Sequence, residues 1–563
     1  MDKNIDKNTK LLIYLFFSIC AVTGVYYEFF SSIISVGILC IIIYTCFKNN
    51  SLLITNNILS ISLLCLPVFY IAAVFWAIDK GMAVWGFLKF IPVSLFGLLW
   101  MQLSNNVKEK TILLIPFIGA VTTIISYLLS FIPCFDGYCS VEGRLAGFWG
   151  YPNTYALFLL IGFIIVATSK KFYWHSAAVL VILLFGIFQT GSRSVFALLL
   201  LVTVSLIILV KKWKMKLLLG SILAIGIVIA AVYAGITGDF QTIGRFLTSS
   251  FSSSTFLGRF LYAQDVIPII LKNPFGLGYD GYRYIQSAIQ TGVYTTRYIH
   301  NDFLQLMIDI GWIPTIIFIA AILKSFFKKG KALQHRLIIM VICLHCLFDF
   351  SLQFIMIDMI LVQMLEYGPI KEIKISSSKK GIVTVSSIIM ILISGYFGMA
   401  GLFQYLGKYQ IAAELYPAYT DSYFMQMIEE PEIDKANQYA EKVLAFNQNI
   451  SQAYEIRALY AYGQGDFGTM IANKEKAIQL APYKLQNYTE YIDMLMVGIQ
   501  LYQQAEDFQS MRYCAQRVVE IPGWLDTVRD NTSDLAWKIV DKPQLELPEE
   551  YDEMIRTCQM ILE

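Results

Sequence analysis

The sequence predicts an all-α protein: a polytopic bundle of about 12–13 membrane helices followed by a soluble α-solenoid. Three observations carry this. The chain is 57% hydrophobic and only 15% charged, with mean hydropathy +0.59, whereas a soluble protein is nearer half apolar and a quarter charged. Nearly all long apolar runs fall between residue 1 and about 405. From 408 onward the pattern turns amphipathic, and two segments align at a 34-residue offset. The expected division is a membrane domain, 1–407, and a soluble helical-repeat domain, 408–563.

An apolar helix needs about 20 residues to cross the hydrocarbon. Candidate spans cover 11–27, 29–47, 57–76, 82–103, 111–131, 153–168, 172–189, 194–210, 217–236, 303–323, 337–350, 352–368 and 381–405. Lys3, Lys7 and Lys10 precede the first run, "LLIYLFFSICAVTGVYY". It has no clear small-x-small cleavage site and another apolar run follows at once, so it reads as a span rather than a cleaved signal. The segments 337–350 and 352–368 are short and read either as a helical hairpin or as one long tilted helix.

Lysine sets the orientation. The turns "CFKNN", "NNVKEK", "SKK", "KKWKMK", "KSFFKKGKALQHR" and "KEIKISSSKK" all contain it, which makes them cytoplasmic together with the N-terminus. The turn near Asp79, 132–152, 190–193 and the large loop 237–302 then lie outside. The alternation holds to the end only if 337–368 is a hairpin, and it then puts 408–563 outside. The net charge of +2 says nothing about partners, and no basic tract suggests nucleic acid.

Of the ten cysteines, Cys20, Cys40, Cys46 and Cys65 sit in apolar runs as small hydrophobes. "CFDGYC" places Cys134 and Cys139 in an outside loop, where a disulfide and two thiols are both open. "CLHC", Cys343 to Cys346, has zinc-like spacing without a second pair, and no metal is expected there.

Residues 1–405 hold seven arginines, and six of them (Arg144, Arg193, Arg245, Arg259, Arg283 and Arg297) are on the outer side; only Arg336 is inside. Lysine already satisfies orientation, so arginine on the other face needs its own reason. Its planar fork of donors suits phosphate or carboxylate oxygens. The bland alternative pairs these arginines with Asp136, Glu142, Asp239, Asp265, Asp280 and Asp302.

Three stretches concentrate this chemistry. In "GRLAGFWGYPNTYALFLL", Arg144 precedes Pro152-Asn153, which opens a span as proline does at a first helical turn. In "QTGSRSVFALLL", Arg193 begins a span just past a tight turn, at the helix's positive end, where it needs an anion. "FLGRFLYAQDVIPIILKNPFGLGYDGYRYI" carries Arg259 and leads into "TTRYIHNDFLQLMIDIGW". "PFGLGYDGY" is only loosely like a phosphate loop, and no nucleotide site is expected.

An arginine loop before a "PN" helix, a "GSRS" turn, an "R…NPFGLGYDGY" loop, "HND" entering a helix and the later "LHCLFDFSLQF" together resemble the O-antigen ligase and polymerase superfamily. The resemblance covers about residues 1–405. It implies a GT-C-like all-helical transferase with a large outer loop, working without a metal or other cofactor in a bacterial cytoplasmic membrane. Its implied reaction moves or polymerises a glycan from a polyprenyl diphosphate carrier, such as undecaprenyl diphosphate, onto an acceptor hydroxyl. Another lipid-linked glycan, a lipid or a protein can be the acceptor.

The residues agree with that chemistry. The membrane part has no D-x-D pair for a divalent cation, so arginines must meet the leaving diphosphate's charge; Arg144, Arg193 and Arg259 are the candidates. The acceptor hydroxyl must lose a proton, which asks for a base titrating near neutrality. His300 is the only histidine expected in the outer loops; the alternative is an interfacial residue capping its helix with Asn301 and Asp302. His345 and Asp349 lie one helical turn apart and either contact an acceptor or tether helices. Asn153 and Asn301, at their helix openings, join them as candidate substrate or acceptor contacts. Lys89, inside the fourth span, either snorkels or faces the lipid-diphosphate groove. Phe148, Trp149 and Tyr151 line the rim of a polyprenyl groove or form an interfacial belt. His175 and His335 lie on the inner side and carry no assigned role.

Beyond 408, "AEKVLAFNQN" and "KEKAIQLAPY" align at the 34-residue offset, and "CAQRVVEIPGW" repeats them with an insertion. The period and the turn "AYGQGDF" resemble tetratricopeptide repeats, which implies a concave surface for a peptide or protein partner. A transporter or flippase of an anionic lipid-linked substrate is the competing class; it predicts paired intramembrane charges and repeat-related broken helices. A scaffold that merely anchors the repeats does not need so many spans.

Overall fold

The computed structural model describes residues 6–135, 137–169, 174–209 and 254–563, with 213, 216–217 and 220–221 between. The expected span 217–236, most of "KKWKMK", and Asp136, Asp239 and Arg245 lie wholly or largely outside the described residues. The chain divides into two compact units: Met1–Ala72, Trp85–Phe251 and Ile299–Leu402 form the first; Ala73–Val84, Ser252–Tyr298 and Phe403–Glu563 form the second.

The first unit is helical because its sequence is apolar over whole turns. Its elements are α1 (Lys7–Thr23), α2 (Glu28–Asn49), β1 (Ser51–Thr55), α3 (Ile58–Ala73), α4 (Lys80–Gln102) and α5 (Asn105–Leu129). A short hairpin, β2 (Ser140–Val141) and β3 (Arg144–Leu145), leads to α6 (Pro152–Thr168), α7 (Trp174–Thr190) and α8 (Arg193–Leu209). Among the described residues α2, α4, α5 and Lys380–Tyr405 are long and apolar enough to cross a membrane, and seven shorter apolar helices accompany them.

Helix α6 is the axis of this unit. It is buried from Thr154 to Ala167 and packs against α5, α7 and α8. Gly186 on α7 permits a close approach: a Cβ there would lie 2.7 Å from Leu159 Cδ1 and Thr123 Oγ1. Small residues serve such helix contacts in membranes because dispersion, not hydrophobic expulsion, drives them. Helix α1 ends at Gly24 with φ 69°, and a Cβ there would sit 2.6 Å from the Trp149 ring.

The expected span 303–323 is two helices. The second unit contributes α9 (Ser254–Lys272) and α10 (Gly281–Ile289); then come α11 (Asp302–Ile310) and α12 (Trp312–Phe327), broken at Gly311 with φ 90°. The segment 337–368 is also two helices, α13 (Leu333–Cys346) and α14 (Ile355–Met364). Their joining turn is held at one end of the bundle, where the Ile355 and Met356 N–H groups donate to Val25 and Gly24 carbonyls at 3.2 Å. At the other end Lys328 meets Glu366 at 2.5 Å, and β4 (Ile370–Lys374) pairs antiparallel with β1, Ser51 opposite Lys374. The chain therefore rises through α13 and returns through α14. Helix α15 (Ser377–Tyr405) follows.

Cys134 is exposed and Cys139 buried, both as thiols; the first faces out and the second faces the core, so the optional disulfide is not formed. No cluster of metal-ligating side chains occurs among the described residues.

The second unit is cut differently from the boundary at 407. Its C-terminal part is α16 (Tyr409–Leu415), α17 (Thr420–Glu429), α18 (Ile433–Phe446), α19 (Ser451–Gly463), α20 (Phe467–Leu480), α21 (Leu485–Gln504), α22 (Phe508–Asp530) and α23 (Glu550–Leu562). From α17 to α23 each helix packs on the next, around buried Met470, Tyr491, Leu495 and Val518. Helices α18 and α20 begin 34 residues apart, as do α19 and α21. The insertion lengthens α21, which has 20 residues against 13 in α19.

Residues 73–84 and 254–298 share this unit's core. Arg283 donates to Asp421 at 2.7 Å and Tyr284 does so at 2.8 Å. Buried Asp79 accepts from Met82 N–H at 2.9 Å and Asn447 at 3.3 Å. Leu261 and Tyr294 pack with Ala536 and Ile539.

Candidate functional site

The first unit gathers a polar cluster from five separate stretches. Arg144 stands on the β2–β3 hairpin, whose turn residues Glu142 and Gly143 have φ 53° and 72°; two left-handed residues are what a tight two-residue hairpin requires. Tyr151 and Asn153 flank Pro152 at the start of α6. Ser192 and Ser194 bracket Arg193 at the start of α8. His345 ends α13, Asp349 and Ser351 occupy the turn before α14, and His300 and Asn301 lead into α11.

Asp349 is the hub. Its side chain is fully buried. Tyr151 Oη donates to Oδ1 at 2.8 Å, Asn153 Nδ2 donates to Oδ2 at 2.9 Å, and the Phe350 N–H donates to Oδ1 at 2.9 Å. These donors satisfy a carboxylate that would otherwise be costly to bury. The His300 Nδ1 lies 3.6 Å from Oδ1, and the His300 ring meets Phe350 edge-on at 5.1 Å. Asn153 also accepts from Arg144 Nη2 at 2.7 Å, while Arg144 Nε donates to the Thr190 carbonyl at 2.8 Å. A continuous polar chain thus runs Arg144, Asn153, Asp349, His300.

A second arm runs through His345, whose Nδ1 is 2.8 Å from Ser351 Oγ and whose Nε2 is 3.3 Å from Ser194 Oγ. His345 is buried at 1% exposure and ties α8 to the α13–α14 turn. Asn301 accepts from the Phe303 and Leu304 N–H groups, both at 3.1 Å, and donates to the Leu347 carbonyl at 3.2 Å. It caps α11.

The arginines expected on the outer side divide. Arg283 pairs with Asp421 and lies 3.6 Å from Asp280; Arg297 pairs with Asp280 at 2.8 Å. For these two the bland pairing with acids is what occurs. Asp265 is engaged instead by Thr291 and Tyr294. Among the described residues Arg144 bonds neutral oxygens only, and Arg193 is exposed with no hydrogen bond or ion pair. Arg259 belongs to the second unit, on α9.

Two expectations change. Lys89 is fully buried, 3.8 Å from Glu28 and 4.9 Å from the Tyr26 ring centre, so it does not snorkel. Trp149 is core rather than rim or belt: it lies under Gly24, donates to the Ala21 carbonyl at 3.0 Å and stacks on Phe354. Tyr151 was legible only as an aromatic. Its hydroxyl was not singled out, and Ser192, Ser194 and Ser351 entered only as parts of the "GSRS" and "LHCLFDFSLQF" stretches, because an isolated hydroxyl gives no pattern of its own.

Residues 178–319 match the family model described as O-Antigen ligase. That stretch, about a quarter of the chain, includes Arg193, Arg259, His300 and Asn301. No curated protein matches the chain. The likeness to O-antigen ligases is therefore confined to that stretch, and with the apolar helices it suggests a membrane protein with glycosyl-transfer chemistry.

Proposed function

We propose that the protein transfers or polymerises a glycan from a polyprenyl diphosphate carrier onto an acceptor hydroxyl at the outer face of the bacterial cytoplasmic membrane. The observation that carries this is the chain Arg144, Asn153, Asp349, His300, which joins a cation able to meet diphosphate to an imidazole able to take a proton.

Asp349 faces His300 Nδ1 and favours the tautomer with the proton there, leaving Nε2 as the base. The His300 side chain is 20% exposed, open to an acceptor. The acceptor oxygen attacks the anomeric carbon, its proton passes to His300, the bond from carbon to phosphate oxygen breaks, and polyprenyl diphosphate leaves. A diphosphate departs without protonation, but its growing charge needs donors fixed beforehand. Arg144 is pre-aimed by two hydrogen bonds, and Arg193 has no hydrogen bond or ion pair among the described residues. Arg259, on α9 of the second unit, is proposed as a diphosphate contact on the sequence pattern alone. Asn301 acts as a helix cap that sets His300, and His345 as a tether for the turn that bears Asp349.

Residues 73–84, 254–298 and 403–563 share one core, which supports one face for all three; by the lysine rule it is the outer face. The 34-residue recurrence of helix starts supports tetratricopeptide-like repeats, with a protein partner as their ligand.

The test is complementation of a deletion strain with wild type, His300→Ala or Arg193→Ala at equal membrane levels. Loss of polymer with accumulated lipid-linked repeat units is expected for both. Normal polymer from His300→Ala ends the general-base assignment. The buried Lys89–Glu28 pair and the break at Gly311 are features an anionic-lipid transporter would use. That reading requires the purified protein to move lipid-linked glycan across vesicles without forming a glycosidic bond.

A further inference from the structure

We propose that α9, within the segment expected to be the large outer loop, lies in the plane of the membrane with one face in the bilayer's interfacial layer. The reasoning starts from its two faces. Gly258, Leu261, Asp265, Val266 and Ile270 are buried toward the second unit's own core. Phe260, Ile267 and Leu271 recur at i, i+7 and i+11, share the opposite face, and are exposed, Leu271 at 62%. Phe275, just past the helix, extends the same apolar surface and is also exposed. A water-facing helix places polar residues there; this stripe has Gln264 alone among apolar side chains.

The bilayer is the occupant because of what the stripe is joined to. The Trp76 indole N–H donates to the Phe275 carbonyl at 3.0 Å, with the two rings 5.9 Å apart. Trp76 and its neighbour Phe75, itself 81% exposed, follow directly on α3, an apolar helix that ends at Ala73. A tryptophan just beyond an apolar helix sits at headgroup depth. The exposed stripe is therefore fixed to a residue that chain connectivity already holds at the membrane boundary. Arg259 near the start of α9 and Lys272 at its end supply cations at the level of lipid phosphates, the composition of an in-plane amphipathic helix. An apolar surface of this kind is otherwise a liability in water.

The inference does not depend on the glycosyl-transfer chemistry, and its test reads depth alone. The ten native cysteines argue against a thiol label. A dansyl amino acid is instead introduced by amber suppression at Ile267, at Leu271 and, as an exposed reference on α18, at Glu441. The full-length protein is placed in nanodiscs of phosphatidylethanolamine and phosphatidylglycerol, with and without doxyl-labelled lipid. At 267 and 271 the expected result is blue-shifted emission, quenched several-fold by doxyl lipid and little by aqueous iodide; at 441 the pattern reverses. If 267 and 271 behave like 441, α9 faces water and the proposal fails. Protection from both quenchers overturns it too, because protein then covers the face. The same readings in His300→Ala are expected to be unchanged, which separates this result from any failure of the catalytic assignment.

Discussion

The fully buried carboxylate of Asp349 stands 3.6 Å from Nδ1 of His300 while accepting from Tyr151, Asn153 and the Phe350 N–H. Those three donors fix where the carboxylate points, and in the proposed mechanism it orients the imidazole beside it. Asp349→Asn keeps the volume but removes the charge and the tautomer preference. Glycan transfer is expected to fall by about 10²–10⁴-fold with membrane levels near wild type. Unchanged transfer rates in membranes supplied with lipid-linked donor would remove Asp349 from the mechanism.

Tyr151→Phe deletes one donor to Asp349 while the ring keeps its place against Phe350, 4.6 Å between centres. A single such bond contributes about 1.5–3 kcal/mol when the acceptor is charged. A roughly 10–150-fold loss of rate is therefore expected, with little change in apparent donor affinity. A pure affinity defect would assign Tyr151 to substrate binding instead.

Arg144 uses Nε and Nη2 at once, toward the Thr190 carbonyl and Asn153. Lysine has the charge but not the fork. Arg144→Lys is expected to impair transfer by about tenfold or more, mostly through weaker donor use, and titration of initial rate against lipid-linked donor would separate that from a rate defect. Full activity would mean that charge alone suffices.

Gly24 combines a left-handed φ of 69° with a Cβ position 2.6 Å from Trp149. Gly24→Ala must both strain the backbone and displace a packed indole, a cost of about 2–4 kcal/mol. Thermal unfolding of the detergent-solubilised protein should show a lower Tm; an unchanged Tm would mean that Trp149 shifts freely.

Burial pushes the Asp79 carboxyl up to about 6, against the opposing hydrogen bonds from Thr420, Met82 and Asn447, and the Asp421 charge also raises it. Between pH 4 and 6 the folded protein then holds a proton that the unfolded chain has released, so this group makes stability fall as pH rises through that window. Asp421 acts in the opposite sense: although burial raises its carboxyl, Arg283 holds it below its ordinary value, so its contribution is present above pH 3.8 and lost as pH falls through its lowered folded value. Asp79→Asn should flatten the Tm profile between pH 4 and 7. A profile as steep as wild type would exclude Asp79 as its source.

Much of this was legible in the residues. Apolar runs of membrane length dictate helices because an unpaired backbone cannot be left in hydrocarbon, and Pro152 marked the start of α6 by its missing N–H. Arg144, Asn153, His300, His345 and Asp349 stood out by type and position. The 34-residue offset reappears in the starts of four helices because it reflects one local helix–turn–helix length. What the sequence left open was long-range. A two-residue hairpin holding Arg144, a five-residue ladder between β1 and β4, and the break at Gly311 are too short to leave a periodic trace. Whether 337–368 turns back was decided by contacts of its turn with Gly24 and Val25, hundreds of residues away, and of Glu366 with Lys328 at the other end of the bundle. Which arginines pair with acids was decided likewise: Arg283 finds Asp421, 138 positions further on, while Arg144 finds a neutral amide and a carbonyl. Local sequence determines helices and their chemistry through backbone hydrogen bonding and burial; only the tertiary fold decides which charges meet, because that depends on packing between segments whose separation along the chain carries no signal.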